Sequence, residues 1–492
     1  MRPQWGPFLL TVTLWLIGLV CPPPGAALDE ATRAQLPQPV LPEHPEWIDL
    51  YWASWDVAWR GLIDGPPPAD QAQACFAVLF TRYAWHVAAV AQLLDPYYAA
   101  QSADGLIGRE LGPATGRPRS SADADGAVGP PLFPWAEWEL YRLSGDQARV
   151  RAVLPTLQRH YEWLKANRRR PGELYYFADG REAGMEGSPR VEAAREWVDL
   201  SAQQGLNARC LARLGRAAGD ETVWRAYDAE HAELSALVNT LCWDRTDAFY
   251  YDRDRTGDAI RAKTAVGFWP LLAEFADPLY SRELLAHLVN EQEFWRAHLV
   301  PSLSADHPSY DPAGGGWRGA VWPTANYALV RGLAAAREWA LAGVVAENHL
   351  TNMAAVLQST GRLHTNYAPD GAAPGRPSEP CTTEAWACSA IPLLIEQVMG
   401  LEANASGDEM VWRLRLRSAH GLRGLRFGGN VVSLEASPDT EAGRTLSLTA
   451  ERPFRLTVLR GEQQQRLNVP AGESRFPLPP LPPSEPRVEQ RP

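Results

Sequence analysis

The residues best suited to chemistry lie in two short stretches. The first, Glu182-Ala183-Gly184-Met185-Glu186-Gly187-Ser188-Pro189-Arg190, sets two carboxylates on a glycine-flanked turn with an arginine beside them. The second, Gly314-Gly315-Gly316-Trp317-Arg318-Gly319-Ala320-Val321-Trp322-Pro323, is a loop of glycine, tryptophan and arginine that opens a helix. Hydrolysis of a glycosidic bond commonly uses two carboxyl groups. One protonates the leaving oxygen and the other activates water, about 6.5–9.5 Å away when the configuration is inverted. The proton donor works best with a raised pKa, and burial among tryptophans supplies one by disfavouring the anion. Tryptophan rings also offer flat faces to the C–H side of a sugar. The two stretches therefore read as the two halves of a saccharide cleft, with Arg190 able to orient either carboxylate. From spacing alone, a solvated Glu–Arg pair on a loop is the plainer reading of the first stretch.

These stretches sit in a mainly helical chain. Its 492 residues are 46% hydrophobic and 21% charged, a globular composition. The length exceeds one ordinary core and suits a barrel or toroid. A net charge of -11 argues against a nucleic-acid partner. From Pro45, the residues Trp47, Leu50, Tyr51, Trp55, Trp59 and Leu62 recur at helical spacing until Pro66-Pro67-Pro68. Helical runs follow over 69–101, with breaks near Trp85 and at Asp95-Pro96. A Gly/Asp/Pro-rich loop spans Ser102 to Pro131, a length that is usually functional or disordered. Further helices are predicted over 135–143, 147–167, 199–218, 220–242, 263–276, 278–297, 321–337, 339–359 and 384–399. They come in pairs, with the long loops on alternate connections. That is the pattern of an (α/α)6 toroid whose loops build a site at one end. After Gly407 the apolar period changes to two, beginning with Val411-Trp412-Arg413-Leu414, and predicts a small C-terminal antiparallel β domain. The expected organisation is a signal peptide over 1–27, a leader over 28–43, a helical domain over 44–405, a β domain over 406–476 and a disordered tail over 477–492.

Arg2, the apolar run Phe8 to Val20, and the small residues Gly25 and Ala27 before Leu28 fit a secretory signal. The run is too short to span a bilayer comfortably, and no later stretch is long and uncharged enough. The mature chain is expected in the periplasm or medium, without a membrane span. Cysteine spacing shows no metal pattern, and no metal or other cofactor is expected. Cys75 and Cys210 read as core, while Cys381 and Cys388 are close enough in sequence to bridge in an oxidising compartment. The sequence does not bear on the oligomeric state.

Several motifs resemble one family in both content and order. Glu182 to Arg190 resembles the acid-bearing loop of glycoside hydrolase families 37 and 63, the trehalases and the α-glucosidase/mannosylglycerate hydrolase group. Val198-Asp199-Leu200-Ser201-Ala202 is similar to the segment that follows that loop. Gly316-Trp317-Arg318-Gly319-Ala320-Val321-Trp322-Pro323-Thr324-Ala325-Asn326-Tyr327 is similar to the family's central Trp-Arg-Gly motif, and Asn366-Tyr367-Ala368-Pro369 to its late motif. Trp386 stands where the family has a terminal tryptophan. The mannosylglycerate-hydrolase-like bacterial group, whose chains also end in a β segment, is the most similar in character. The resemblance implies an (α/α)6 toroid and inverting hydrolysis of an α-glycosidic bond without a cofactor.

Three positions depart from the family pattern. Its general acid is aspartate, and the matching residue here is Glu186, whose extra methylene shifts the carboxyl; a misplacement of about 1 Å can cost about 100-fold. The general base should precede Asn366, where this chain has Thr365, and a hydroxyl is no base near neutral pH. Asp370 and Glu384 are the substitute candidates, with Glu379 also nearby. An early Trp-Asp pair expected around 70–76 is absent from Asp70-Gln71-Ala72-Gln73-Ala74-Cys75-Phe76. Candidates for holding the sugar are Trp317, Arg318, Trp322, Arg190, Trp135 and Trp386. Arg318 either clasps a hydroxyl or substrate carboxylate, or bridges to Asp311. Trp317 and Trp322 either stack on sugar or pack within the protein. The expected activity is inverting hydrolysis of an α-glycosidic bond in a small saccharide or glycoside. The alternative is a catalytically degenerate saccharide-binding relative of the same fold.

Overall fold

The computed structural model describes residues 28–480 except 64, 66, 67, 69, 112–126, 171, 172, 378, 379 and 382–384. Nine longer helices carry the first four-fifths of the described chain. They are α1 (Pro45–Ala58), α2 (Gln71–Thr81), α3 (Phe133–Ser144), α4 (Gln147–Arg168), α5 (Val198–Ala218), α6 (Glu221–Leu241), α7 (Pro278–Leu288), α8 (Pro323–Ala335) and α9 (Trp339–Thr360). Their ends follow local chemistry. Asp70 caps α2 by accepting the Ala72 and Gln73 N–H groups at 2.8 and 3.2 Å. Between α3 and α4, Gly145 takes a left-handed φ of 70°, and Asp146 then caps α4 through Arg149 N at 2.9 Å. The link from α5 to α6 repeats the device with Gly219 and Asp220.

Six helical segments touch in a closed inner ring: α2, α3, α5, the short helix Trp269–Leu272, α8 and the segment Ala385–Ser389, which returns to α2. α2 shows why such a segment lies inside. Almost every residue from Gln71 to Thr81 is buried, which an outer helix with one wet face cannot achieve. Longer helices pack outside, α4 and α6 against α5, and α9 against α8; α1 meets α9 and so joins the start of the ring to its end. The chain is thus an (α/α)6 toroid. The helix expected over 278–297 stops at Leu288, because the chain turns at Asn290 to put Phe294 and His298, both 0% exposed, into the core.

The C-terminal part is a two-sheet β domain. Its strands are β2 (Leu401–Asn404), β3 (Glu409–Arg413), β4 (His420–Phe427), β5 (Asn430–Ala436), β6 (Arg444–Ala450), β7 (Phe454–Arg460), β8 (Gln463–Val469) and β9 (Gly472–Leu478). β5 alternates buried and half-buried along its length, as a strand with one covered face should. The pairings are antiparallel except β3 with β7, which is parallel. The stretch read as a leader, 28–43, is packed into the protein. Its strand β1 (Gln38–Val40) adds antiparallel to β4, Leu36 and Leu41 are buried, and Tyr51 donates to Pro37 O at 2.8 Å. The tail expected from Pro477 gives way to ordered strand as far as Leu478, because Thr445 pairs with Pro477 and Arg444 with Leu478. Residues 481–492, and the signal peptide expected over 1–27, lie outside the described residues. Cys388 is a buried free thiol that donates to Ser54 O at 3.4 Å, so the expected bridge to Cys381 is not formed. Among the described residues no helix is long and apolar enough to cross a membrane.

Candidate active site

The first motif is a turn held rigid from behind. Gly184 and Gly187, with φ of 67° and 81°, flank Met185 and Glu186 and let the chain reverse where an L side chain would be strained. Glu182 faces inward. It accepts Ala178 N at 2.6 Å, Val128 N at 3.2 Å and Arg168 Nη2 at 2.7 Å, so it is a structural carboxylate. Arg190 is the anchor of the turn. Its guanidinium meets Asp199 Oδ1 at 2.7 Å and Oδ2 at 3.2 Å, reaches Asp252 Oδ2 at 2.7 Å, and stacks over Trp197 at 4.6 Å. Burial raises the Asp252 pKa, and the neighbouring Asp199 adds to this; against the pull of Arg190, the carboxyl ends at about 6. Glu186 alone among the charged residues of the motif is left exposed on the open side.

The second motif closes onto the first. Arg318 Nε donates to Gly187 O at 2.9 Å, tying the tryptophan loop to the glutamate turn. The bond differs from the expected bridge to Asp311, whose N–H instead donates to the Arg318 carbonyl at 2.7 Å. Trp317 and Trp322 stack with ring centroids 4.6 Å apart and planes 10° apart. The third motif joins them by backbone pairing, since Val321 and Tyr367 exchange N–H···O bonds of 2.9 and 3.0 Å. Gly314 is required there, because a side chain would meet Ala368, Gly375 and the Tyr367 carbonyl at 3.1 Å.

Between these loops lies a cavity of about 330 Å³. Trp317, Trp322, Trp386, Trp269 and Phe76 give it aromatic walls, with Met185 and Glu186 entering from the first motif. Its polar lining comes from Asp70, Gln73, Arg109, Gln203 and Thr324. Asp70 and Glu186 are the carboxylates among the described lining residues. Asp70 is already occupied, capping α2 with one oxygen and accepting Arg109 Nε at 3.0 Å with the other. Arg109 also donates to Arg181 O, which links the start of α2 to the glutamate turn. A second hollow, about 890 Å³ between α4 and α6, contains none of the motif residues.

The structure brings Glu186, Trp317, Trp322 and Trp386 together around one cavity, while Arg318 is not among its lining residues and ties the two loops together through Gly187 O. Three other candidates lie elsewhere. Arg190 is 0% exposed and turns its charge toward Asp199 and Asp252, so it shapes the turn instead of reaching the cavity. Trp135 is 1% exposed and lies behind Phe76, edge-on to it at 6.2 Å. Asp370 does not line the cavity; it is held by Arg296 Nε at 2.7 Å and by the Tyr310 hydroxyl at 3.1 Å. Glu384 lies outside the described residues, as does Glu379. Sequence reasoning missed Gln203, Asp70 and Arg109. The Asp70 cap was legible as Asp before a helix, whereas Gln203 looks like any other position of an amphipathic helix.

The profile of the mannosylglycerate hydrolase MGH1-like glycoside hydrolase domain matches residues 71–379. An uncharacterised protein of Borreliella burgdorferi is 25% identical over 425 residues, spanning 82% of this chain and 87% of that protein. Among solved structures, the family 63 mannosylglycerate hydrolase of Thermus thermophilus, in complex with Tris and D-glycerate, superposes with a TM-score of 0.57 at 19% identity; the match covers 72% of this chain and 99% of that one. A family 78 rhamnosidase of Bacillus sp. GL1 superposes with a TM-score of 0.64 at 12% identity, over 86% of this chain and 43% of that one. At these identities the superpositions speak for the fold.

Proposed function

The chain belongs to the mannosylglycerate hydrolase MGH1-like glycoside hydrolase family, and from that premise we propose that it is an exported hydrolase that cleaves an α-glycosidic bond with inversion. Glu186 is the proton donor. Trp317, Trp322 and Trp386 hold the sugar faces, and Arg318 couples the two loops through Gly187 O. The base is assigned to Glu384, which stands two positions before Trp386 in the chain. Asp370 does not take that role, since Arg296 and Tyr310 hold it away from the cavity. The observation that carries the reading is one free carboxylate, Glu186, entering an aromatic-walled cavity. The volume of about 330 Å³ falls in the range of small-ligand sites, which suits a small saccharide or glycoside. Export rests on the N-terminal residues Arg2, Phe8 to Val20, Gly25 and Ala27.

The test is sugar release from a panel of α-linked glucosides, mannosides and disaccharides. Glu186→Gln and Glu384→Gln should each lower turnover by about 100-fold or more, while Asp370→Asn leaves it near wild type. Proton NMR of the first-formed product should show the β-anomer. One observation favours a second reading, saccharide binding without hydrolysis: Asp70, the other described carboxylate of the lining, is already committed to its cap and to Arg109. Wild-type protein that binds the panel saturably yet releases nothing would decide for it.

A further inference from the structure

Two inner helices begin at the cavity with polar groups that the described chain leaves open to it. α8 starts there at Pro323, and no side chain caps it. Its first backbone donor is Asn326 N, to Trp322 O at 3.0 Å, so the N–H groups of Thr324 and Ala325 have no acceptor among the described residues. The start of α5 shows the contrast: Val198 N donates to Asp252 Oδ1 at 2.9 Å and Leu200 N to Asp199 Oδ1 at 3.0 Å. Thr324 and Ala325 both line the cavity. The Thr324 hydroxyl, on a residue 8% exposed, makes no hydrogen bond to the described residues and is not sealed from the cavity. Gln73, on the first turn of α2, lines the same space; it is half-buried, and its amide bonds none of the described residues. Trp386 lies on the segment that touches both helices, its ring 6.0 Å from Phe76, while Phe80 meets Tyr327 edge-on at 5.0 Å and ties α2 to α8. Gln73, Trp386 and the start of α8 therefore share one sector of the wall, where a ligand can reach them.

Resting on the saccharide reading above, we infer that Gln73 and Thr324 are specificity-determining residues that grip two different hydroxyls of one neutral glycosyl ring, whose apolar face lies on Trp386. The start of α8 presents N–H donors beside a hydroxyl, so it takes a sugar hydroxyl through its oxygen. The Gln73 amide both donates and accepts, so it takes a hydroxyl in either sense. Neither group has to leave a protein partner first. Charge selects the neutral ring. Arg109, the cation of the described lining, is held by Asp70 Oδ2 at 3.0 Å and by the Arg181 carbonyl. Glu186 enters the same cavity and repels an anion whenever it is ionised.

The experiment is calorimetric titration of the mature chain carrying Glu186→Gln, so that no glycoside is consumed. The ligands are methyl α-D-glucopyranoside and methyl α-D-mannopyranoside, then the monodeoxy forms of whichever binds, and its 6-carboxylate. Two monodeoxy forms should each bind about tenfold more weakly than the parent, and the carboxylate should bind more weakly as well. Adding Gln73→Leu should weaken the parent about tenfold and abolish discrimination against one of those two forms only. Adding Thr324→Val should abolish discrimination against the other, and Thr324→Ser, which keeps the hydroxyl, should restore it. Parent binding with the full discrimination retained in both variants would overturn the inference and leave the saccharide reading standing. So would an equal loss for every form, which marks a structural role, or tighter binding of the carboxylate. If neither parent glycoside binds, the saccharide reading falls and this inference with it.

Discussion

Replacing Arg190 with methionine keeps the length of the side chain and removes its charge. Arg190 is 0% exposed, and its carboxylate partners Asp199 and Asp252 are 1% and 4% exposed at the side chain. Breaking a buried ion pair by deleting one partner costs about 3–5 kcal/mol, because the remaining charge is stranded. Here two carboxylates would be stranded, so the upper end applies. For a chain of this length that is a fall of roughly 5 °C in Tm. The cost should depend on pH with a definite sign. Asp252 already sits at about 6 in the folded protein, above its ordinary value of 3.8. A carboxyl raised in this way supports the fold fully below its ordinary value and loses that support as pH rises through about 6. Without Arg190 its main attraction is gone and the native carboxyl rises further. The penalty of Arg190→Met should therefore be larger at pH 8 than at pH 5, where protonation relieves it. Differential scanning fluorimetry of both proteins at the two pH values measures this directly. A penalty equal at both values, or larger at pH 5, would mean that Arg190 stabilises the turn through packing on Trp197 and not through charge. Because Glu186 lies four positions away on the same turn, turnover should fall together with stability.

Arg318→Ala removes the bond to Gly187 O that couples the two loops. Its effect should appear as a loss of about 10- to 100-fold in kcat/KM or ligand affinity with little change in Tm, since the residue is exposed. His298 and His349 meet at 2.7 Å with both rings buried; burial pushes His349 down to about 3 and, with His349 beside it, holds His298 well below its usual value. Stability from this pair is present above pH 6.5 and lost as pH falls below it, so His349→Gln should reduce the acid-side slope by about 1.4 kcal/mol per pH unit in urea titrations. Asp252 acts with the opposite sign between about 6 and 3.8, so the comparison needs the Asp252 background unchanged. Thr365→Glu, assayed on the same glycoside panel, should raise turnover by about 100-fold if the base is missing, and leave it unchanged or lower if Glu384 supplies it.

The helical ring was legible because its signals are local. Gly145-Asp146 and Gly219-Asp220 mark helix ends whatever lies around them, and the shift to period two after Gly407 marks the β domain. What stayed hidden is non-local. β1 is three residues with no amphipathic pattern, and only β4, far along the chain, makes it a strand. The over-extended helix at 278–297 fails for a similar reason. Its periodicity continues past Leu288, but the core needs Phe294 and His298 at places a straight helix does not reach. At the site, the glycine turns and the tryptophan loop could be read from residue type. The inward turn of Arg190 could not, because it depends on Asp252, a residue with no motif around it. Gln203 is the sharper case, since burial without a partner is a property of the fold and leaves no mark on the sequence.

The two sides of the cavity are built to different degrees, and this bears on what Thr365 means. On the acid side, Glu182 and Arg190 make seven hydrogen bonds or ion pairs that serve only to hold the turn presenting Glu186. On the other side, the frame around position 365 is also kept. Tyr367 pairs in both directions with Val321, Asn366 packs so tightly on Gly375 that a side chain there would fall 2.0 Å from its Oδ1, and Arg376 N bonds Gly314 O at 2.6 Å. The departure at Thr365 is therefore a change of one functional group on an intact backbone frame, and not the collapse of a loop.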